Sequence, residues 1–223
     1  TGKTNPTTFT INSKPMDLVQ PKREGYTFEG WSGTDIKEKD TQVTVTARPL
    51  KDRTYTANWK ENSYTIVFNV EGEVTRGEMK NIPLRYTQET TIPENGYVCG
   101  GYKFVGWRTG GKKSEQKVYQ PGDKVSRLCA TNNGTVNLYP IWEPCEYTIT
   151  FDYQTGNKRE KVTCKYKETY TFPTVNRLGW TFEGWSRSAG STNVISYAPN
   201  VKTAVFEAVS YTHLRAHETT LHL

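Results

Sequence analysis

Three copies of one seven-residue pattern, spaced almost evenly, constrain this 223-residue chain more than any other feature. Gly25-Tyr-Thr-Phe-Glu-Gly-Trp31, Gly101-Tyr-Lys-Phe-Val-Gly-Trp107 and Gly179-Trp-Thr-Phe-Glu-Gly-Trp185 all read Gly-aromatic-x-Phe-x-Gly-Trp, and their final tryptophans fall 76 and 78 residues apart. Chance does not produce three such matches at one period. Self-similarity on this scale means tandem copies of one small folding unit rather than a single large domain.

The flanks of the pattern repeat in register. Tyr64-Thr-Ile-Val-Phe68 and Tyr147-Thr-Ile-Thr-Phe151 alternate apolar with polar residues and each opens a unit, whereas Tyr55-Thr-Ala-Asn-Trp59 and Leu138-Tyr-Pro-Ile-Trp142 each close one. The period of two places Tyr64, Ile66 and Phe68 on one face of a strand, and Tyr147, Ile149 and Phe151 on one face of another. The chain is rich in Thr and holds 14 Tyr, 8 Phe and 6 Trp, and such side chains suit a pleated, half-buried surface. No stretch carries an amphipathic pattern of three helical turns; residues 15–19 and 167–170 have room for one turn each. The expected fold is mostly β, with four or five strands and at most one short helical turn per unit.

Within the pattern, Trp31, Trp107 and Trp185 are the expected core plugs, each burying on the order of 200 Å². Gly30, Gly106 and Gly184 precede them where φ is positive or another backbone passes close. Tyr26, Phe28, Tyr102, Phe104, Trp180 and Phe182, with the closing Trp59 and Trp142, complete the expected core. Pro140, inside a closing strand, predicts an edge position or a bulge there.

A net charge of +6 raises the question of an anionic partner. Lys and Arg are dispersed, and the densest basic stretches, Lys112-Lys113 and Lys158-Arg159, sit in expected turns. This argues against nucleic acid and for no more than weak attraction to anionic glycans or wall polymers. No run of 18 apolar residues is present to span a membrane.

No arrangement of residues points to catalysis or to a cofactor. Glu29 and Glu183 occupy equivalent repeat positions, which reads as module structure rather than as a paired acid and base; a glycosidase needs two carboxyl groups set across a cleft. Cys99, Cys129, Cys145 and Cys164 allow three pairings. Cys145 and Cys164 flank a hairpin with its turn at residues 155–158, and Cys99 and Cys129 bracket an insert at residues 110–133. A bridge closing either loop would stabilise by about 3 kcal/mol; four free, half-buried thiols are the alternative. Tyr86, Tyr119 and Tyr166 are candidates to stack on sugar rings, against ordinary cross-strand packing. His213, His217 and His222 suggest a zinc site, but His217-Glu-x-x-x-His222 is one residue too long to put two ligands on one helical face.

At the motif residues the chain resembles the Listeria–Bacteroides repeat, also called the internalin B-repeat-like module. Residues 21–35 with their Gly-Tyr-Thr-Phe-Glu-Gly-Trp, followed by Tyr55-Thr-Ala-Asn-Trp59, carry the resemblance most closely. It implies small β-grasp-like, ubiquitin-like modules in tandem on secreted or wall-anchored bacterial proteins, acting as a monomeric stalk or spacer, with direct binding of host glycan or protein as the competing role. It brings no catalytic residues.

These spacings divide the chain into a first repeat at residues 1–62, a second at 63–143 and a third at 144–208. The first unit's opening strand is expected before residue 1, because that strand lies 43 and 38 residues ahead of the motif Trp in the other two. The third is expected to lack its closing strand, and residues 209–223, which hold all three His, resemble a translated sequencing-adapter stretch.

Overall fold

The computed structural model describes residues 4–154, 158–186, 194–197, 204–205 and 213–220, the last three stretches as backbone only. Most of the turn expected at 155–158 lies outside the described residues. Among them the architecture is β throughout, and the single helical turn is a 3-10 turn at Lys113–Glu115, inside the insert of the second repeat. The two segments with room for a turn are otherwise: Met16–Asp17 pairs with Thr44–Val45 as a two-residue ladder, and Thr169–Tyr170 pairs with Ala204–Val205.

The first repeat forms a three-stranded sheet of β1 (Tyr26–Gly33), β2 (Ile36–Asp40) and β3 (Tyr55–Glu61), in the order β2-β1-β3. The second repeat supplies β4 (Ser63–Phe68), β5 (Ile82–Arg85), β6 (Tyr102–Thr109), β7 (Val118–Tyr119) and β8 (Gly134–Pro144), ordered β7-β6-β8-β4-β5. The third supplies β9 (Glu146–Asp152), β10 (Arg159–Lys165), β11 (Trp180–Ser186), β12 (Val194–Tyr197) and β13 (His213–Thr220), ordered β12-β11-β13-β9-β10. The two five-stranded sheets have one topology. In each, the closing strand is central, beside the motif strand and parallel to the opening strand; in the third repeat its pairing with the motif strand is antiparallel.

Pro140 therefore does not mark an edge. Its strand β8 lies between β6 and β4, but the parallel pairing with β4 ends at Leu138, two residues earlier. A residue without an N–H is tolerated where the ladder on one side has already stopped. A second difference concerns residues 213–220, which lie beyond a third repeat expected at residues 144–208 without its closing strand. They occupy the closing-strand position of the third repeat, pairing with both β11 and β9. Strand pairing is a backbone interaction, and this segment has neither Pro nor Gly to interrupt it.

The motif works through a β-bulge. Across β1 and β3, Phe28 pairs with Trp59, Gly30 with Asn58 and Trp31 with Ala57, leaving Glu29 as the extra residue. Trp59 and Ala57 lie two apart and share a face, so Phe28 and Trp31, three apart, share that face too. Without the bulge they would point to opposite sides. The third repeat does the same, with Phe182 opposite residue 218, Trp185 opposite residue 216 and Glu183 left over. Gly30 sits at the bulge with φ +123, and a Cβ there would come within 2.9 Å of the Asp40 backbone. Only glycine accommodates both conditions.

The three motif tryptophans are buried: Trp31 is 7% exposed, and Trp107 and Trp185 are 0% exposed. Tyr26, Phe28, Trp59, Tyr102, Phe104, Trp142, Trp180 and Phe182 are half-buried. In the second repeat, Tyr64, Ile66, Phe68 and Leu138 are buried, and Phe68 meets Trp107 edge-on with ring centroids 4.8 Å apart. In the third, Ile149, Phe151, Cys164, Phe172 and Val175 close around Trp185. The Trp185 indole N–H donates to the Pro173 carbonyl at 2.8 Å.

By packing, the described chain forms two compact units that cut across the repeats. One comprises residues 1–70, 78–95 and 106–140; the other comprises 71–77, 96–105 and 141–223. The contact between the first and second repeats lies within the former, and that between the second and third within the latter.

Candidate interaction site at the repeat junctions

One residue separates each closing strand from the next opening strand. Asn62 lies between β3 and β4, and Cys145 lies between β8 and β9. The backbone of that residue ties two repeats together. Asn62 N–H donates to the Gly25 carbonyl at 2.9 Å, and the Asn62 carbonyl accepts from Tyr86 N–H at 2.9 Å. Cys145 N–H donates to the Gly101 carbonyl at 2.8 Å, and the Cys145 carbonyl accepts from Tyr166 N–H at 2.9 Å.

Each tyrosine is held out by the same turn. Gln88 N–H donates to the Arg85 carbonyl at 3.1 Å while the Gln88 side chain accepts from Arg85 N–H at 3.2 Å. Glu168 and Lys165 exchange the same two bonds at 3.0 and 2.7 Å. The turn then lays the Tyr86 ring against Gly25 and the Tyr166 ring against Gly101, so closely that a Cβ on either glycine would overlap the ring. Tyr86 also meets Tyr26 edge-on at 6.3 Å, and Tyr166 meets Tyr102 at 5.1 Å. Tyr86 is buried and Tyr166 half-buried. Of the two roles open from sequence, sugar stacking and ordinary packing, both tyrosines take packing, at the junctions. Tyr119 packs opposite Trp107 in the β6–β7 ladder.

Polar groups reinforce each junction differently. The buried Asn62 side chain accepts from Thr27 Oγ1 at 2.6 Å and donates to the Ala130 carbonyl at 2.7 Å, so its amide is satisfied. The Glu61 carboxylate accepts from Thr87 N–H at 2.7 Å and from the Thr87 hydroxyl, and these bonds hold it below the usual carboxylate range. At the second junction the Lys167 ammonium sits 2.6 Å from both Glu73 oxygens, which raises its pKa. The Cys145 side chain, unlike that of Asn62, hydrogen-bonds within its own repeat, to Tyr147.

Cys99, Cys129, Cys145 and Cys164 are free thiols in the structure. Cys164 faces Tyr147 across the β9–β10 ladder with its side chain in the core. Burial pushes the Cys99 and Cys164 thiols up, the opposite of what a nucleophile needs. Among the described residues no three His, Cys, Asp or Glu converge as metal ligands. His213 and His217 lie on one strand rather than on a helix.

Residues 20–63 match the family model of the divergent InlB B-repeat domain, and residues 64–139 and 147–206 match that of the Listeria-Bacteroides repeat domain. The latter alone covers more than half of the chain. The chain belongs to the Listeria–Bacteroides repeat family. The family segments start and stop close to the junction residues, so Asn62 and Cys145 sit at the seams between family repeats. Curated relatives include two proteins of Evansella cellulosilytica, one named as a Gly-rich membrane protein and one as a membrane protein. They are 26% identical over 86% and 26% identical over 81% of this chain. Internalin H of Listeria monocytogenes is 30% identical over 50% of it. The chain spans 24%, 26% and 20% of the length of these three relatives. No solved structure matches. Among the described residues, no helix is long and apolar enough to cross a membrane.

Proposed function

We propose that this stretch of Listeria–Bacteroides repeats is a non-catalytic, extracellular spacer on a bacterial surface protein, built of β-grasp-like modules that set the distance and orientation of whatever they carry. The carrying observation is the recurrence of one junction, in which a single residue hydrogen-bonds a Gly carbonyl behind it and a Tyr amide ahead of it. A repeated, specific joint transmits orientation from module to module, whereas a flexible linker would lose it. The β-grasp reading is supported by the mixed five-stranded order with parallel opening and closing strands at its centre.

Direct binding of a host glycan or protein is the competing role. The burial of Tyr86 at a junction removes one aromatic that such a role would use. Weak contacts per module with a wall polymer would still add as avidity along an array. Small-angle scattering tests the spacer. The maximum dimension should grow by a constant increment as repeats are added, and a profile that grows in girth instead would overturn the reading. A saturable, high-affinity ligand held by a single repeat would overturn it as well.

A further inference from the structure

We propose that the face formed by Gly179 and Trp180 is a docking seat for the tyrosine turn of a further module of this same repeat type. The inference rests on the modular reading above and adds to it a defined site with a defined occupant. Two seats of this design are filled: Gly25 with Tyr26 receives Tyr86, and Gly101 with Tyr102 receives Tyr166. The third is built to the same plan. Gly25, Gly101 and Gly179 have φ of +74, +78 and +79, so their backbones turn alike. Arg23 lies over the Tyr26 ring at 3.8 Å, and Arg177 lies over the Trp180 ring at 4.6 Å.

The difference is occupancy. A Cβ on Gly179 would meet nothing within 4 Å among the described residues, and the neighbouring Leu178 is fully exposed. The hollow beside Gly25, about 400 Å³, is closed on one side by Ala130 and Thr131 of the second repeat. The matching hollow beside Trp180, about 730 Å³, is lined, among the described residues, by Arg177, Leu178, Phe182 and others of the third repeat. The bare Gly179 backbone, the edge of the Trp180 ring and the Arg177 cation over it suit a tyrosine ring, which offers an apolar body and a polar tip. The occupant is a turn reading basic residue-Tyr-x-Gln or Glu, as at residues 85–88 and 165–168.

The three glycines share positive φ, so substitution by Ala strains each backbone alike, and any excess reports a seated ring. In the full chain, Gly25→Ala and Gly101→Ala should lower the unfolding midpoint by clearly more than Gly179→Ala. Equal losses at all three would overturn the proposal. A second arm fills the seat: a copy of residues 62–143 is joined directly after Thr220 of the full chain. Labelled with ¹⁵N-tryptophan, the Trp180 indole resonance should move on extension and return when the added copy carries Ala in place of its Tyr86. The Gly179→Ala loss should rise to that of Gly101→Ala. An unmoved Trp180 resonance beside a folded added repeat would overturn the seat. If the resonance moves while scattering shows no increment in length, the seat stands and the spacer reading falls.

Discussion

Phe28 faces Trp59 directly across β1 and β3, with ring centroids 5.5 Å apart and planes tilted at 66°. Phe104 and Trp142 make the equivalent edge-to-face pair in the second repeat, at 5.8 Å. In the third repeat the register places residue 218, a Glu, opposite Phe182. Glu218→Trp should therefore restore the family's pair and stabilise the third repeat by about 0.5–1.5 kcal/mol, the range for a cross-strand aromatic pair. Denaturant unfolding followed at the third repeat reads this directly; an unchanged or lowered midpoint would show that residue 218 does not stand in for Trp59.

Removing residues 213–220 should destabilise the third repeat, because β13 is the central strand that joins β11 to β9. Without it both strands expose unpaired backbone. Amide exchange in β9 and β11 should speed up on truncation while β4 and β6 stay protected. Unaltered exchange in β9 and β11 would refute the closing-strand role.

Trp107→Ala should cost the second repeat about 3–5 kcal/mol, since the ring is fully buried against Phe68. A small module has little more than that to lose. Loss of the near-UV aromatic signal from this repeat is the expected observation. A midpoint within error of the parent chain would mean the cavity collapses without penalty, contrary to a tightly packed core.

The Glu61–Thr87 contact should make the first junction acid-sensitive. Hydrogen bonding lowers the folded pKa of Glu61 below its unfolded value. Its contribution is thus complete above the unfolded pKa of about 4.3 and is lost as pH falls through the folded pKa. Glu61→Gln should lower the unfolding midpoint at pH 7, and the difference from the parent should shrink as pH falls below the unfolded pKa. A difference that stays constant across that range would rule out the linkage.

The repeat period, the strand character of the opening and closing segments and the aromatic motif were legible because they are local. Alternation at period two reports a strand without reference to anything distant, and Tyr64, Ile66 and Phe68 are buried as that pattern implies. Glycine before each tryptophan reported a backbone irregularity at the right position, though not that a bulge brings Phe28 and Trp31 to one face.

What the amino-acid order determined by itself was the module: its period, its β composition and the residues of its motif. Only the tertiary structure decided how modules meet and which segment closes the third. Tyr86 packs on Gly25 and Tyr26, some sixty residues away along the chain, and no local pattern separates a tyrosine so placed from an exposed one. Pro140 was legible as a residue unable to donate to a ladder, but where each ladder stops depends on register between strands distant in sequence. Residues 213–220 carry no family pattern and still take a strand position, because backbone N–H and C=O groups pair irrespective of the side chains between them.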